Sequence, residues 1–126
     1  MSTSVLLSIK PKYADAILDG TKTFELRRAV FRNPDVRRAV IYASSPISRV
    51  IGEFSIADVL ELEPEKLWRA TAKGSGVDRE FFDDYFRGRK TGYALQVQKP
   101  KRYAKPLHLT DHFGFSRPPQ SFCYLF

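Results

Sequence analysis

The sequence has 126 residues, of which 43% are hydrophobic and 13% aromatic; this composition excludes an intrinsically disordered chain and suffices for one domain. The net charge is +7, and the single Cys123 excludes an internal disulfide, so a reduced, cytoplasmic setting is the default expectation. The longest uncharged apolar run, residues 39–43, is far shorter than a membrane span, and we expect no membrane contact.

The first half of the chain shows strand patterns around one helix. Residues 4–10 alternate, with Val5, Leu7 and Ile9 on one face, which predicts a strand. Pro11 suits the first turn of a helix and Gly20 ends the helical pattern, so a helix is predicted over 11–19. Further strands are predicted over 23–28, over 37–45 with both faces buried, and over 49–62, where Gly52 indicates a bulge or a close backbone approach.

The second half inserts helices between the remaining strands. Helices are predicted within 64–73 and 77–88, with Asp78 as an N-cap, and strands over 91–100, over 106–113 and at the apolar end. These elements predict an α+β, mainly β fold: a small, mostly antiparallel β-barrel with an N-terminal helix and a helical insert. No linker is long enough to divide the chain, so a single domain over 1–126 is expected.

The positive charge is concentrated in two groups, separated by an acidic stretch over 53–65. A fold that joins the two groups has one positive face, which is typical of nucleic-acid-binding proteins; general solubility is the alternative explanation. The two groups are Arg27, Arg28, Arg32, Arg37, Arg38 and Arg49, and Arg87, Arg89, Lys90, Lys99, Lys101, Arg102 and Lys105.

Motifs for metal or cofactor binding are not predicted. His108 and His112 are four residues apart, but no carboxylate-rich helix surrounds them. The sequence also has no nucleophile elbow and no glycine loop of the phosphate-binding or dinucleotide-binding type. We therefore expect no metal and no cofactor.

The strongest candidate site is the junction between the first helix and the strand that follows it. Alternation over 23–28 places Glu25 and Arg27 on one face, opposite Phe24 and Leu26, and the end of the helix carries Lys22 back beside them. These residues either line a ligand cleft or form the solvated face of a strand. In both cases we expect exposed ion pairs worth roughly 0–1 kcal/mol, so that substitutions of Lys22 or Glu25 leave the stability nearly unchanged.

The residues of this junction resemble a known family. The segment LLSIKPKYADAILDGTKTFELRR is similar to the N-terminal half of an ASCH domain, a branch of the PUA-like superfamily. The family pattern Gly-x-Lys-x-x-Glu-x-Arg is met by Gly20, Lys22, Glu25 and Arg27. The segments VIYASSP, VIGEF, LW, GYAL and PPQSFCYL also resemble, in the same order, ASCH proteins of the predicted transcriptional-regulator type.

The resemblance implies a PUA-like β-barrel with a cleft beside the first helix. The expected partner is nucleic acid, RNA more than DNA, or a modified nucleotide, and the expected role is regulatory. Lys22 and Arg27 can contact phosphate or a base carbonyl, while Glu25 can accept from an exocyclic amine. A stacking face can come from Tyr13, Tyr42 or Phe24, although each also suits the core. The predicted ligand-binding residues are Ser8, Lys10, Lys22, Glu25, Arg27, Ser44, Ser45, Gln120 and Ser121; ordinary turn chemistry is the alternative for the last four.

Three alternatives stay open. One ASCH branch resembles a small amidohydrolase of acylated nucleosides, with a Lys, a Thr and an insert Glu; Lys22 matches the first, Glu25 replaces the second, and residues 71–78 contain no glutamate, although Thr21 or Thr23 can substitute for the Thr. A nuclease can use Lys22 and Glu25 as an acid–base pair. A protein-interaction module predicts an exposed apolar patch instead. A monomer is the default expectation.

Overall fold

Six strands and four helices make up the structure of residues 3–125, as given by a computed structural model. None of these helices is long and apolar enough to cross a membrane. In chain order the elements are β1 (Thr3–Ile9), α1 (Pro11–Asp19), β2 (Phe24–Arg27), β3 (Val36–Ala43), β4 (Arg49–Leu62), α2 (Pro64–Thr71), α3 (Arg79–Tyr85), β5 (Gly92–Leu107), α4 (Leu109–Phe113) and β6 (Phe122–Leu125).

The strands form one mixed sheet in the order β2-β5-β4-β3-β1-β6. The β1–β3 pair is parallel and the other four pairs are antiparallel. The α+β class with an N-terminal helix and a helical insert is confirmed. The sheet is not closed, with β2 and β6 at its edges, so the predicted barrel is not confirmed. Both edge strands have four residues. The two edges are joined by a side chain and not by a backbone ladder, because Arg27 of β2 donates hydrogen bonds to Ser121, the residue before β6.

Strand β1 is buried on both faces, and its alternation divides the core as predicted. Val5, Leu7 and Ile9 belong to the cluster that also contains Ile17 of α1. Leu6 points to the opposite face and packs in a second cluster. The period of two in the sequence therefore sets which side of the sheet each residue covers.

The helix caps follow the sequence signals. Helix α1 begins at Pro11 and ends before Gly20, whose φ of 86° is the left-handed conformation that favours glycine. The next two backbone N–H groups, of Thr21 and Lys22, both donate to the carbonyl of Ala16 at 3.0 Å. In α3 the Asp78 side chain accepts from a backbone N–H, as an N-cap should. The tight end of α1 turns the chain directly into β2.

The strand predicted over 106–113 is wrong. Strand β5 continues to Leu107, and Leu109–Phe113 form α4. Lys99 adopts a φ of 51° at an irregularity in the β4–β5 register, which lets the strand pass Pro100 and continue. Leu109 is buried against the second cluster and holds α4 in place, so packing decides the conformation where the local pattern suits either element.

Gly52 lies at a close backbone approach inside β4. A Cβ atom at this position would lie 2.6 Å from the carbonyl oxygen of Lys101 and 2.7 Å from a methyl carbon of Leu18. We expect Gly52→Ala to lower the free energy of unfolding by about 1–3 kcal/mol, the usual cost of overpacking. Urea denaturation measures this change. Unfolding at the parent's urea midpoint would show that strand β5 and α1 move apart without cost.

Candidate functional site

A cleft of about 520 Å³ opens where α1, β2 and the helical insert meet. The end of β1 and the start of α1 form one side, β2 forms the back, and α3 forms the other side. Its lining residues are Ser8, Ile9, Lys10, Tyr13, Lys22, Glu25, Leu26, Arg27, Arg28, Val77, Phe81, Asp84 and Tyr85.

Three buried charges occupy the back of this cleft. Lys22, Glu25 and Arg27 are exposed by only 2%, 6% and 7%. The Glu25 carboxylate lies between the two cations, with Oε2 3.0 Å from Nη1 of Arg27 and Oε1 3.8 Å from Nζ of Lys22. The expectation of exposed ion pairs is therefore wrong, because the insert covers the strand face that carries them. Breaking a buried pair is far more costly than breaking an exposed one.

The loop between α2 and α3 holds Lys22 in place. The ammonium group donates to the carbonyl of Ser75, and the carbonyl of Gly74 accepts from the N–H groups of Thr23 and Phe24 at 2.8 and 3.1 Å. Gly76 has a φ of 71°, and a Cβ atom there would lie 3.1 Å from Cγ and Cδ of Lys22. The lysine stem is thus packed under a glycine-rich turn, and its ammonium is oriented before any ligand arrives.

Burial changes the acidity of this lysine. The pKa of Lys22 is lowered from 10.5, chiefly because burial disfavours the ammonium, and the Glu25 carboxylate offsets part of this effect. A lysine with a lowered pKa exchanges its proton at lower pH than an exposed one. The site therefore contains a group suited both to binding an anion and to proton transfer.

The guanidinium group of Arg27 forms hydrogen bonds to other residues of the protein. Besides its contact with Glu25, its Nη2 donates to the backbone oxygen of Ser121 at 2.8 Å and to the Ser121 hydroxyl at 2.6 Å. These bonds join β2 to the residue before β6 and fix the Glu25 carboxylate. The geometry makes Arg27 a positioning residue, with Lys10 and Arg28 as the exposed cations at the mouth of the cleft.

Aromatic rings form one wall of the cleft. The rings of Tyr13 and Phe81 are 5.7 Å apart, and Phe81 lies nearly parallel to Tyr85 with 5.9 Å between centroids. Lys22 Nζ lies 5.4 Å from the Tyr13 ring, and the Arg28 guanidinium lies 4.7 Å from that of Tyr85. Cations over the faces of aromatic rings add to the positive character of the wall.

The structure brings most, but not all, of the predicted site residues together. Ser8 lines the cleft and its hydroxyl donates to the carbonyl of Pro119 at 2.6 Å. Ser44 and Ser45 lie in the turn between β3 and β4, outside the cleft lining, which agrees with turn chemistry. Gln120 is exposed and also lies outside the lining. Of the predicted residues, five line the cleft, namely Ser8, Lys10, Lys22, Glu25 and Arg27, and Ser121 contacts Arg27.

The stacking candidates divide in the same way. Tyr13 lines the cleft, whereas Tyr42 and Phe24 pack in hydrophobic clusters. Phe81 and Tyr85 were not among the predicted site residues, although the insert carries two aromatic pairs at a spacing of four residues. The pair Phe82 and Phe86 is buried in the core, which leaves the other pair facing the cleft. Two adjacent aromatic stripes on one short helix are the signal that could have identified them.

The described residues offer no alternative centre built on a metal. Within residues 3–125, no three His, Cys, Asp or Glu side chains are grouped as metal ligands. In the same part of the chain, every buried side-chain nitrogen and oxygen has a hydrogen-bond partner. The cleft's own side chains supply an oriented ammonium, a fixed carboxylate and aromatic faces.

The proteins similar to this chain include a relative named as a ribonuclease, an ASCH crystal structure and a ribosomal protein. A protein of Zymomonas mobilis named ASCH domain-containing ribonuclease is 29% identical over 122 residues, covering 95% of this chain and 82% of the relative. A crystal structure of ASCH from Zymomonas mobilis superposes with a TM-score of 0.90 at 27% identity, covering 98% of this chain and 87% of that one. A protein of Ureaplasma parvum named large ribosomal subunit protein uL22 is 26% identical over 97% of this chain, which spans only 39% of that relative.

The family assignment rests on the full pattern. None of the relatives reported above is named as a transcriptional regulator, so that part of the prediction has no support. Membership of the PUA-like superfamily stays a prediction. The profile of the ASCH domain matches residues 7–110, which include the whole Gly20, Lys22, Glu25 and Arg27 pattern and the helical insert. The chain therefore belongs to the ASCH domain family.

Proposed function

We propose that this protein binds RNA and that the cleft at α1, β2 and α3 holds one nucleotide of it. The observation that carries the proposal is the buried Lys22 ammonium, oriented by Ser75 and Glu25 at the back of an open cleft. An ammonium in this position attracts a phosphate or a base carbonyl oxygen. A cytoplasmic location is part of the same proposal.

The other lining residues supply the remaining contacts. Tyr13 and Phe81 offer ring faces on which an unpaired base can stack, as RNA-binding proteins commonly do. Glu25 has lone pairs beyond its two ion pairs and can accept from an exocyclic amine. Lys10 and Arg28 at the mouth can contact the phosphates on either side. The similarity to the Zymomonas mobilis protein named as a ribonuclease supports RNA over DNA.

Cleavage of the bound RNA is the second candidate function. Two observations favour it: the lowered pKa of Lys22, which suits proton transfer, and the printed name of the Zymomonas mobilis relative. Hydrolysis of acylated nucleosides has less support. The acid that the insert contributes to the lining is Asp84, and its carboxylate is paired with Arg87.

The charge available for binding is smaller than the sequence suggests. Arg38 forms an ion pair with Glu53, and Arg102 contacts both Asp15 and Asp19. Some members of both basic groups are thus partly neutralised by carboxylates of the same chain. A single positive face that joins the two groups stays part of the proposal, with fewer phosphate contacts than the thirteen cations of the two groups would allow.

The test is a titration of a labelled single-stranded RNA at several salt concentrations. The logarithm of the association constant should fall linearly with the logarithm of salt, by about 0.7 per phosphate contacted. Running the equilibrated samples on a denaturing gel separates binding from cleavage, because a binder leaves the RNA at full length. Absence of binding at low salt would refute the proposal, and shortened RNA would establish the second candidate.

A further inference from the structure

A second groove, of about 880 Å³, adjoins the cleft. It lies between the segment 28–34, which follows β2, and the middle of β4, with Tyr93 of β5 also in its lining. Arg28 lines both the cleft and the groove. A ligand that leaves the cleft past Arg28 therefore enters the groove directly.

Three exposed guanidinium groups lie around the groove. Arg28, Arg32 and Arg37 all line it. Within residues 3–125 none of the three forms an ion pair with a carboxylate, whereas Arg38, Arg69, Arg79, Arg87 and Arg102 do. Unneutralised guanidinium groups around one concavity favour an anionic ligand.

The segment 28–34, which carries Arg28 and Arg32, is held firmly, and Arg37 lies in β3. Phe31 is buried in the core and meets Phe122 edge-on, with 5.9 Å between ring centroids. The hydroxyl of Tyr124 accepts from the backbone N–H groups of Arg32 and Asn33 at 3.2 and 3.3 Å. The arginines therefore project from a fixed backbone, which reduces the entropy lost on binding.

The other polar residues of the lining have a different character. Asp58 and Glu61 of β4 line it together with the ring of Tyr93. Carboxylates repel phosphate but accept hydrogen bonds from base amines, and a tyrosine ring can stack on a base. A strand of RNA that places its phosphates on the arginines can therefore direct its bases to Tyr93 and the β4 carboxylates.

We propose that this groove binds the nucleotides adjacent to the one held in the cleft. The ligand is then a single-stranded RNA that passes Arg28, and the groove sets a minimum length for tight binding. The bases of a duplex are paired and stacked, so they cannot turn towards Tyr93 and the β4 carboxylates. This inference rests on the proposed function of the cleft.

The test compares a dinucleotide with a hexanucleotide of the same RNA sequence on the parent and on two variants. Arg32→Ala/Arg37→Ala removes two charges from the groove, and Lys66→Ala/Lys73→Ala removes two exposed charges that line neither cavity and belong to neither basic group. The parent should bind the hexanucleotide at least tenfold more tightly than the dinucleotide. The groove variant should lose most of this gain, keep its dinucleotide affinity within twofold, and show a salt slope smaller by about 1.4, since each lost single-strand contact removes about 0.7.

Each other outcome has a defined meaning. If the parent binds both lengths equally, or the groove variant behaves like the Lys66→Ala/Lys73→Ala control, the groove proposal is wrong while the cleft proposal stands. If a duplex of the same length competes as well as the single strand, the single-strand assignment is wrong. If the parent binds neither length, both proposals fail. Matching thermal melts of the three proteins show that the exposed substitutions leave the fold intact.

Discussion

Glu25→Ala should lower the free energy of unfolding by about 3–5 kcal/mol, which is the usual cost of removing one partner from a buried ion pair. The carboxylate is the link between Lys22 and Arg27, and all three side chains are nearly inaccessible to solvent. Without it, two buried cations face each other and the aromatic wall with no compensating anion. Because domains are stable by only about 5–15 kcal/mol, chemical denaturation will show the loss clearly.

Two further variants make this prediction specific. Glu25→Gln keeps the shape and one acceptor oxygen, so it should lose less stability than Glu25→Ala, while still removing the charge between the cations. Glu65→Gln is the matched control, because Glu65 pairs with Arg79 on an exposed surface where both side chains are more than two fifths accessible. It should unfold at the parent's denaturant midpoint. A Glu25→Ala protein that unfolds together with the control would mean that the insert opens and hydrates the cations.

Lys22→Met should weaken RNA binding by at least tenfold for every base, because it removes a buried cation at the back of the cleft. Arg27, the other buried cation of the lining, is bound to Ser121. The methionine stem keeps the packing against Gly76. If the protein cleaves RNA with Lys22 as the proton donor or acceptor, the rate should fall by about 10²–10⁴-fold, which is the usual contribution of such a group. Fluorescence titration and a product gel measure the two effects. Lys73→Met, at an exposed lysine of the loop between α2 and α3 and outside the cleft lining, is the control and should behave as the parent.

The lowered pKa of Lys22 adds a dependence on pH with a defined sign. In the folded state the ammonium loses its proton below 10.5, so affinity for an anionic ligand should start to fall at lower pH than an ordinary lysine allows. In the same window the unfolded chain binds more protons than the folded one at this residue. The stability of the parent should therefore rise with pH, relative to Lys22→Met, between the lowered pKa and 10.5. A difference in stability that stays constant with pH would show that Lys22 keeps an ordinary pKa.

Local patterns in the sequence identified the members of the site because they are close together along the chain. The glycine at 20 ends α1, and the alternation from Phe24 to Arg27 sets the faces of β2. Both signals depend only on neighbours within a few residues, where backbone geometry is decisive. The proline and aspartate at the helix starts were equally informative, for the same reason.

Tertiary structure alone decided what these residues do. Whether Lys22, Glu25 and Arg27 are solvated or buried depends on the insert, since Lys22 donates to Ser75, 53 positions further along the chain. Arg27 donates to the hydroxyl of Ser121, which lies 94 positions further along the chain. This contact joins the edge strand β2 to the residue before the other edge strand, β6. Contacts between distant segments follow from how whole elements pack, and no short pattern records them. For that reason the sequence by itself determined the fold class, the caps and the charged triad, whereas packing decided the open sheet, helix α4, the aromatic wall and the lowered pKa of Lys22.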